Sequence, residues 1–412
     1  MPLLDDYTNI RARTVALAAP LTAEDQGLQS MPEASPTKWH LAHTSWFFET
    51  FVLARFVPGY RPIDERYGFL FNSYYEGVGP RVERGRRGQL SRPSLAEVQD
   101  YRRRVDAAVT QLLMGGWPAG EIPAEAAATL VLGLHHEQQH QELLLTDIKH
   151  ALGGQPLRPA CLSELARARL AAASPGPPRF RRFEAGVVSV GHAGGGFAFD
   201  NEGPRHRHFL EAFALAARPV TAAEYLAFMR DGGYARPELW LSDGWQRIQT
   251  ERWRAPLYWE EHDGAWSLYT LAGLRPVDPE EAVAHVSYFE ADAFARWAGA
   301  RLPTEEEWEH ATADAPVTGH FADAGRFHPG PASDGMFGDV WQWTQSAYLA
   351  YPGYRPPAGP IGEYNGKFMS GQMVLRGGSC LTPAGHLRAT YRNFFPPETR
   401  WQMSGIRLAC DA

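Results

Sequence analysis

The longest uninterrupted helical pattern in the chain runs from Ala126 to Ala151, where no proline and a single glycine, Gly133, intervene. Apolar residues recur there at Leu132, Leu143, Leu144, Ile148 and Ala151, and Gly153-Gly154 stand where such a helix would close. The pattern predicts an amphipathic helix. Three earlier segments read the same way. Asp6 to Ala18 is followed by a short turn that Thr22 can cap. Ser35-Pro36 supply a cap and a first-turn proline for a second helix, along which Trp39, His43, Trp46 and Phe47 fall on one stripe. Ser94 caps a third, reaching Gly115, with Val98, Tyr101, Val105 and Val109 as its apolar stripe. Between the second and third, Phe71 to Gly88 carries glycines and a proline and is predicted to be a loop. Helices of this kind in succession predict an up-and-down four-helix bundle over residues 1–155.

Past that point the texture changes. Residues 156–180 form a linker, with Gln155-Pro156-Leu157-Arg158-Pro159, a short helical piece rich in alanine and arginine, and Ser174-Pro175-Gly176-Pro177-Pro178. Residues 181–412 predict short strands and glycine-rich loops. Phe183 to Gly191 alternates as a strand, and Phe197 to Glu202 with Arg205 to Phe209 continues as strands and turns. Capped helices are predicted over Thr221 to Met229 and over Ser287 to Ala298. The expectation is a multidomain protein, a helical bundle followed by an α+β domain.

Composition narrows the class. A chain of 412 residues exceeds one ordinary core, and 44% hydrophobic with 21% charged residues fits a water-soluble globular protein. A formal charge of -7 leaves no footprint for nucleic acid, and the basic cluster from Arg81 to Arg92 is too short to change that. No apolar run predicts a membrane span, and Met1-Pro2-Leu3-Leu4-Asp5-Asp6 lacks the order of a signal peptide, so a cytoplasmic location is expected. Cys161, Cys380 and Cys410 are too scattered for a disulfide framework, which agrees. With 13 Trp, 16 Tyr and 40 Gly, pockets built from aromatic rings are expected.

Candidate chemistry centres on His136 and His140, which share a helix face at four residues' spacing and form half of a site for zinc, copper, iron or nickel. His43 lies on the buried stripe of the second helix, where it is either a core histidine bonded to a backbone carbonyl or a third ligand; His40 competes by spacing. Tyr74 and Tyr75 in the loop can serve as reactive phenols or as packing, and the arginines beyond them can fork onto a carboxylate.

Several separated motifs now resemble a known family. Asn201-Glu202-Gly203-Pro204-Arg205-His206, Arg301-Leu302-Pro303-Thr304-Glu305-Glu306-Glu307-Trp308-Glu309, Gly338-Asp339-Val340-Trp341-Gln342-Trp343-Thr344 and Leu375-Arg376-Gly377-Gly378-Ser379 resemble the formylglycine-generating-enzyme fold, a C-type-lectin-like domain. The first 155 residues resemble the DinB-type bundle. The two together are similar to the ergothioneine sulfoxide synthases, including the related selenoneine synthase. That resemblance implies a non-haem Fe(II) held by His43, His136 and His140, matching the family's Leu-Ala-His and His-x-x-x-His-x-Glu segments. Glu142, the last residue of the second motif, lies about 200° around a helix from His140 and is expected to support rather than ligate. Gln139 matches a glutamine that contacts the imidazole of hercynine, which is trimethylated histidine, and Asn393, Phe394 and Phe395 match the hercynine-binding segment after Arg392. Arg84 and Arg87 match a pair that holds the donor's carboxylate, with Arg81 and Arg86 close by. Asn72-Ser73-Tyr74-Tyr75 matches the catalytic tyrosine segment of the cysteine-using branch, either phenol being able to give a proton or an electron to activated O2.

The implied reaction is oxidative C–S bond formation at C2 of hercynine with O2 and a thiol, giving a sulfoxide. Phe395 stands where the dipeptide-using branch carries aspartate, which favours free cysteine over gamma-glutamylcysteine as donor. Two departures, Ser370-Gly371 in place of Cys-Asn and Gln342 in place of glutamate, leave a selenosugar donor and C–Se bond formation as the alternative. More remote are a DinB-type metal-dependent thiol transferase, which leaves residues 181–412 unexplained, formylglycine generation, which needs close cysteines that Cys380 and Cys410 do not provide, and a non-catalytic carbohydrate-binding module, for which three such histidines would be gratuitous.

Overall fold

In the computed structural model, which describes residues 2–117, 120–162 and 176–412, the long helical pattern forms a helix of 30 residues, Ala124–Gly153. It packs with Pro2–Ala18, Thr37–Phe48 and Leu95–Gln111 as a four-helix bundle. In chain order these are α1 (Pro2–Ala18), α2 (Thr37–Phe48), α3 (Leu95–Gln111) and α4 (Ala124–Gly153). The bundle belongs to a unit comprising Met1–Leu157 and Pro357–Tyr364, and the remainder, Arg158–Pro356 with Asn365–Ala412, forms a second unit.

Helix α3 begins at a capping box in which Ser94 accepts from the Glu97 backbone N–H and Glu97 accepts in return. Its stripe of Val98, Tyr101, Val105 and Val109 is buried as the periodicity predicts. Two expectations for the other helices are corrected. Pro36, not Ser35, occupies the cap position of α2 and accepts from the Trp39 and His40 backbone N–H groups through its carbonyl. Ser35 is drawn elsewhere: its N–H donates to Asp147 at 2.8 Å and its hydroxyl accepts from Arg87 at 2.9 Å. Helix α4 is also not simply amphipathic. From Gly133 onward it is covered on almost every side, with Glu137, Gln141 and Lys149 buried beside Leu144 and Ile148, because α1, α2 and two connecting turns pack on it and Arg102 reaches it from α3.

Close approach to α2 is what Gly133 permits. A Cβ there would lie 2.6 Å from a ring carbon of Phe48 and 2.9 Å from one of Phe47. After α2 the chain widens into a π-helical turn, Glu49–Leu53, whose Glu49 carboxylate accepts from Tyr60 at 2.8 Å and Tyr101 at 2.6 Å. A short helix, Tyr67–Phe71, leads into the loop of Tyr74 and Tyr75, and Arg84–Gln89 forms a 3-10 helix where the sequence predicts loop.

The second unit is built on strands β1 (Phe180–Phe183), β2 (Gly186–Val190), β3 (His206–Leu210) and β4 (Phe213–Ala216), helices α5 (Ala222–Arg230) and α6 (Ser242–Glu251), and a meander of β5 (Trp259–His262), β6 (Ala265–Thr270) and β7 (Gly273–Pro276). Helices α7 (Tyr288–Trp297) and α8 (Glu305–Thr312) follow, then β8 (Gly319–His320), β9 (Phe337–Gly338), β10 (Trp341–Ala347), β11 (Met373–Arg376), β12 (Asn393–Phe395), β13 (Ser404–Gly405) and β14 (Ala409–Asp411). Strand β4 pairs with both β1 and β14, so one sheet joins the two ends of the unit. A second sheet has the order β12-β11-β10-β13 and carries Asn393, Phe394 and Phe395 on its edge strand. Phe183, Val188 and Met336 pack on a core of Leu210, Phe213, Leu215, Ala311 and Ala409. Of the stretch read as strands and turns, Phe197 to Glu202 supplies the turn and β3 the strand: Glu202 accepts from the Phe199 backbone N–H and from Arg388 and Thr390, which folds the chain tightly there. The alanine- and arginine-rich piece of the linker and Ser174-Pro175 fall at 163–175, outside the described residues.

Gly133→Ala separates propensity from packing. Alanine gains about 1 kcal/mol of helix propensity, whereas forcing a methyl into a filled core costs about 1–3 kcal/mol. Against two fixed rings the packing term dominates, so a lowered urea midpoint is expected. A raised midpoint would show that the helices can separate at no cost.

Candidate metal centre

Where α4 faces α2, three imidazoles come together. One nitrogen from each of His43, His136 and His140 lies within 4.8 Å of the others, and all three side chains are buried. His43 arrives from α2, stacked between Trp39 at 4.6 Å and Trp46 at 5.5 Å. Its Nδ1 is 2.6 Å from the Phe71 carbonyl, one of the acceptors left open at the end of the Tyr67–Phe71 helix; Trp39 Nε1 donates to the neighbouring Leu70 carbonyl at 3.0 Å. A carbonyl only accepts, so His43 carries its proton on Nδ1 and directs the Nε2 lone pair inward. The backbone-carbonyl bond expected of a core histidine is therefore present, and it leaves Nε2 facing His136.

His43 Nε2 lies 3.1 Å from His136 Nε2. Two nitrogens about 2.1 Å from one ion and at right angles are about 3.0 Å apart, so this edge fits a shared metal as well as it fits a hydrogen bond. His136 Nδ1 is buried without a hydrogen-bond partner among the described residues. On His140, Nδ1 is engaged by His40 Nδ1 at 2.8 Å, which leaves Nε2 as the nitrogen available to an ion. Burial pushes all three imidazoles well below the ordinary histidine range. For His136 the value is about 3, with burial first and the nearby Glu137 charge opposing it. Neutral imidazoles at pH 7 are what a zinc, copper, iron or nickel ion requires. His40 stays outside the trio because its ring nitrogens are taken by His140 and by Asp147, at 3.1 Å. Glu142, buried on α4, is not among the converging groups.

The rotation of α4 is held from the opposite side by charge. Glu137 is fully buried; Arg11 Nη1 donates to Oε2 at 2.8 Å, Thr14 donates to Oε1 at 2.6 Å, and Arg102 donates to Oε1 as well. Burial alone would raise this carboxyl, but Arg102 and Arg11 outweigh it and hold it at about 2. Gln141, one turn on, donates to the Ile10 carbonyl and to Thr14, both at 3.0 Å.

Of the two tyrosines singled out in the loop, Tyr75 is buried against Phe51 at 5.1 Å and Trp46 at 5.8 Å, and Tyr74 stacks on it at 4.6 Å. Burial first, then the neighbouring Tyr74, pushes the Tyr75 phenol well above its usual range, so it stays protonated. A third phenol was not anticipated. Tyr364, from the segment Pro357–Tyr364, lies 5.7 Å from the His136 ring and 6.4 Å from Tyr74, and its hydroxyl donates to Gln139 Oε1. That segment is anchored where Glu363 accepts from the backbone N–H groups of Glu76 at 3.0 Å and Gly77 at 2.7 Å. Its sequence separation from Gln139, 225 residues, hides it from any local pattern.

The two arginines of the 3-10 helix differ. Arg84 is exposed. Arg87 is buried with its guanidinium 3.6 Å over the Trp39 ring, donating to Ser35 Oγ at 2.9 Å and to the Ser73 carbonyl at 3.4 Å, partners that carry no charge. Burial, with the Arg84 charge adding to it, lowers its pKa to about 9.

In the second unit, Arg392 forms a two-pronged ion pair with Glu305, both contacts at 2.8 Å, which fixes the start of β12. Asn393 Oδ1 accepts from the Phe394 N–H at 2.9 Å, Phe394 stacks on Tyr348 at 4.0 Å, and Phe395 lies 6.4 Å from Trp401. Gln342 accepts from Trp308 and Arg407, each at 2.7 Å, and donates to the Met336 carbonyl, so it is a buried packing residue. Ser370 and Gly371 form an exposed turn with φ of +82° and +74°.

Among the described residues no helix is long and apolar enough to cross a membrane. Residues 6–144 match the DinB superfamily model, and 174–333 with 332–412 match the sulfatase-modifying factor enzyme 1-like domain. A hercynine oxygenase of Mycobacterium tuberculosis is 31% identical over 97% of this chain and 96% of its own. One from Mycolicibacterium thermoresistibile is 33% identical over 92% and 88%. Ergothioneine biosynthesis protein 1 of Schizosaccharomyces pombe is 28% identical over 52% of this chain and 27% of its own. A DinB bundle with a histidine trio, a sulfatase-modifying-factor-like domain and near full-length similarity place the chain in the hercynine oxygenase family, the ergothioneine sulfoxide synthases.

Proposed function

We propose that the chain catalyses iron(II)- and O2-dependent joining of cysteine sulfur to C2 of the hercynine imidazole, giving a hercynyl sulfoxide. The observation that carries this reading is the buried trio of neutral imidazoles, His43, His136 and His140, beside a phenol in a member of the hercynine oxygenase family. The atoms balance: the C2–H and S–H hydrogens are lost, the C2–S bond forms, one oxygen atom of O2 goes to sulfur and the other leaves as water. Iron(II) on the three histidines would supply the redox centre, with up to three open positions.

The chain's own groups then have distinct tasks. Tyr364 holds a proton on its hydroxyl beside His136, bonded to Gln139, and is the phenol best supported as proton donor to the reacting oxygen. Gln139, which accepts from Tyr364 through its carbonyl, is assigned to the imidazole of hercynine on the motif. Tyr74 and Tyr75 support that phenol and share the proposal of a steering role. Asn393, Phe394 and Phe395 are assigned to hercynine on the motif. Arg87, a buried cation that donates to Ser35 and to the Ser73 carbonyl with the Asp147 charge nearby, is assigned to the carboxylate of an amino-acid donor, with Arg84 as its exposed companion. A selenosugar has no carboxylate for that charge, which favours the thiol over C–Se bond formation.

Aerobic incubation of the Fe(II)-loaded protein with hercynine and, separately, cysteine, gamma-glutamylcysteine or a selenosugar should yield a hercynyl sulfoxide with cysteine, read by mass spectrometry. No adduct from any donor would refute the reading, and an adduct from the selenosugar alone would replace it. Arg87→Met should raise the KM for cysteine about 30-fold, the equivalent of about 2 kcal/mol for a charge-assisted hydrogen bond. An unchanged KM would remove Arg87 from donor binding. Tyr364→Phe should divert cysteine toward its sulfinic acid; if Tyr364→Phe, Tyr74→Phe and Tyr75→Phe all keep the wild-type product ratio, no phenol steers the reaction.

The trio also sets a pH dependence of the metal-free protein. The folded pKa values lie below the unfolded value of about 6.5, so unfolding takes up protons as pH falls and stability declines from there toward the folded values. At pH 5, His136 alone should cost about 2 kcal/mol relative to pH 7. His136→Gln should lose that share of the slope in urea titrations at the two pH values; an identical slope would mean His136 is not buried neutral.

A further inference from the structure

His40 and Asp147 belong to neither the histidine trio nor the substrate contacts proposed above, yet both are buried and aligned with it. His40 is three residues before His43 on α2, and Asp147 is seven residues after His140 on α4, so each shares a helix face with a member of the trio. The bonding is continuous: His140 Nδ1 to His40 Nδ1 at 2.8 Å, then His40 Nε2 to Asp147 Oδ2 at 3.1 Å. Asp147 Oδ2 is held in turn by the Ser35 backbone N–H at 2.8 Å. Only one arrangement of protons satisfies the chain when His140 offers Nε2 to a metal. A neutral His140 then carries its hydrogen on Nδ1, His40 accepts on Nδ1 and must carry its own hydrogen on Nε2, and that hydrogen is donated to the carboxylate.

We propose that Asp147 and His40 form a carboxylate–imidazole–imidazole relay that fixes His140 in its Nδ1–H tautomer and aims its Nε2 at the metal. Both are positioning residues: neither touches the ion. A metal-bound histidine commonly donates its second nitrogen to a carboxylate or carbonyl, which orients the ring and strengthens it as a ligand. His43 uses the Phe71 carbonyl for this purpose, whereas His140 reaches a carboxylate through a second imidazole. The acceptor presented to His140 is therefore a neutral ring polarised by a buried negative charge. Fixing the ring from behind also explains why His40, though close to His140, is not itself a ligand: turning inward would break both of its bonds.

The inference rests on the trio being the metal site, and the test distinguishes the two. Fe(II) affinity is measured by competition with a chelator for wild type, His43→Ala, His40→Phe, His40→Asn, Asp147→Asn and the His40→Phe/Asp147→Asn double variant, each checked for folding by urea denaturation. His43→Ala should abolish binding; if it does not, the metal reading fails independently of the relay. His40→Phe should weaken Fe(II) about 10–100-fold. His40→Asn, whose amide oxygen can replace the Nδ1 acceptor, should recover most of that loss while still lacking the bond to Asp147. Asp147→Asn should weaken binding in the wild-type background and add nothing to His40→Phe, because the carboxylate acts only through the ring. In the Zn(II)-loaded protein, long-range proton–nitrogen NMR of labelled histidines should show His140 as Nδ1–H and His40 as Nε2–H. Wild-type affinity in folded His40→Phe, or His40 found as the Nδ1–H tautomer, would overturn the relay.

Discussion

The bundle depends on one buried carboxylate. Helix α4 is covered on most sides, so no solvent-facing stripe tells it how to rotate, and a turn of one residue, about 100°, would swing His136 away from α2. Glu137 removes that freedom. Its two oxygens are claimed by Arg11 on α1 and Arg102 on α3, with Thr14 alongside, and a charge this deeply desolvated is tolerable only with those partners in place. Breaking such a pair generally costs about 3–5 kcal/mol, far more than any single apolar contact on the helix. Because Glu137 directly follows His136, fixing one carboxylate fixes the direction of the neighbouring imidazole on the adjoining face.

The same economy appears on α2. Trp39 and His43 satisfy the last carbonyls of the Tyr67–Phe71 helix, so the groups that close that helix also orient the inward nitrogen of His43. Arg87 lies over the other side of Trp39. Rings and hydrogen bonds thus position the nitrogens 3.1 Å apart across the His43–His136 edge. Burial of this kind keeps the imidazoles neutral at a cost in acid stability, and the depressed carboxyl of Glu137 adds to that cost once the pH falls below the ordinary glutamate range.

In the second unit, charge performs structural work as well. Arg376 and Arg392 converge on Glu305 inside the domain, which places Asn393 and Phe394 at the start of an edge strand. Gln342, a departure from the family pattern, is absorbed into packing between Trp308 and Arg407. The Ser370-Gly371 turn follows from backbone conformation, since left-handed φ values favour a residue without a side chain at the second position. Both positions are thus accounted for by packing and backbone conformation.

Much of this was legible in the sequence where the determinants are local. Helix periodicity, the Ser94, Thr221 and Ser287 caps, and the four-residue spacing of His136 and His140 depend on nearby residues, and the resemblance supplied His43 and the two-part architecture. Tertiary structure alone decided the rest. Tyr364 reaches Gln139 across 225 residues, Glu137 finds cations 126 and 35 residues away, and His40 becomes a link to His140 across 100. Arg84 and Arg87 look alike as a pair at three-residue spacing, but only one is buried. A sequence records which side chains share a helix face; which faces meet is set by burial and by buried charges that must find partners, and those partners lie far along the chain.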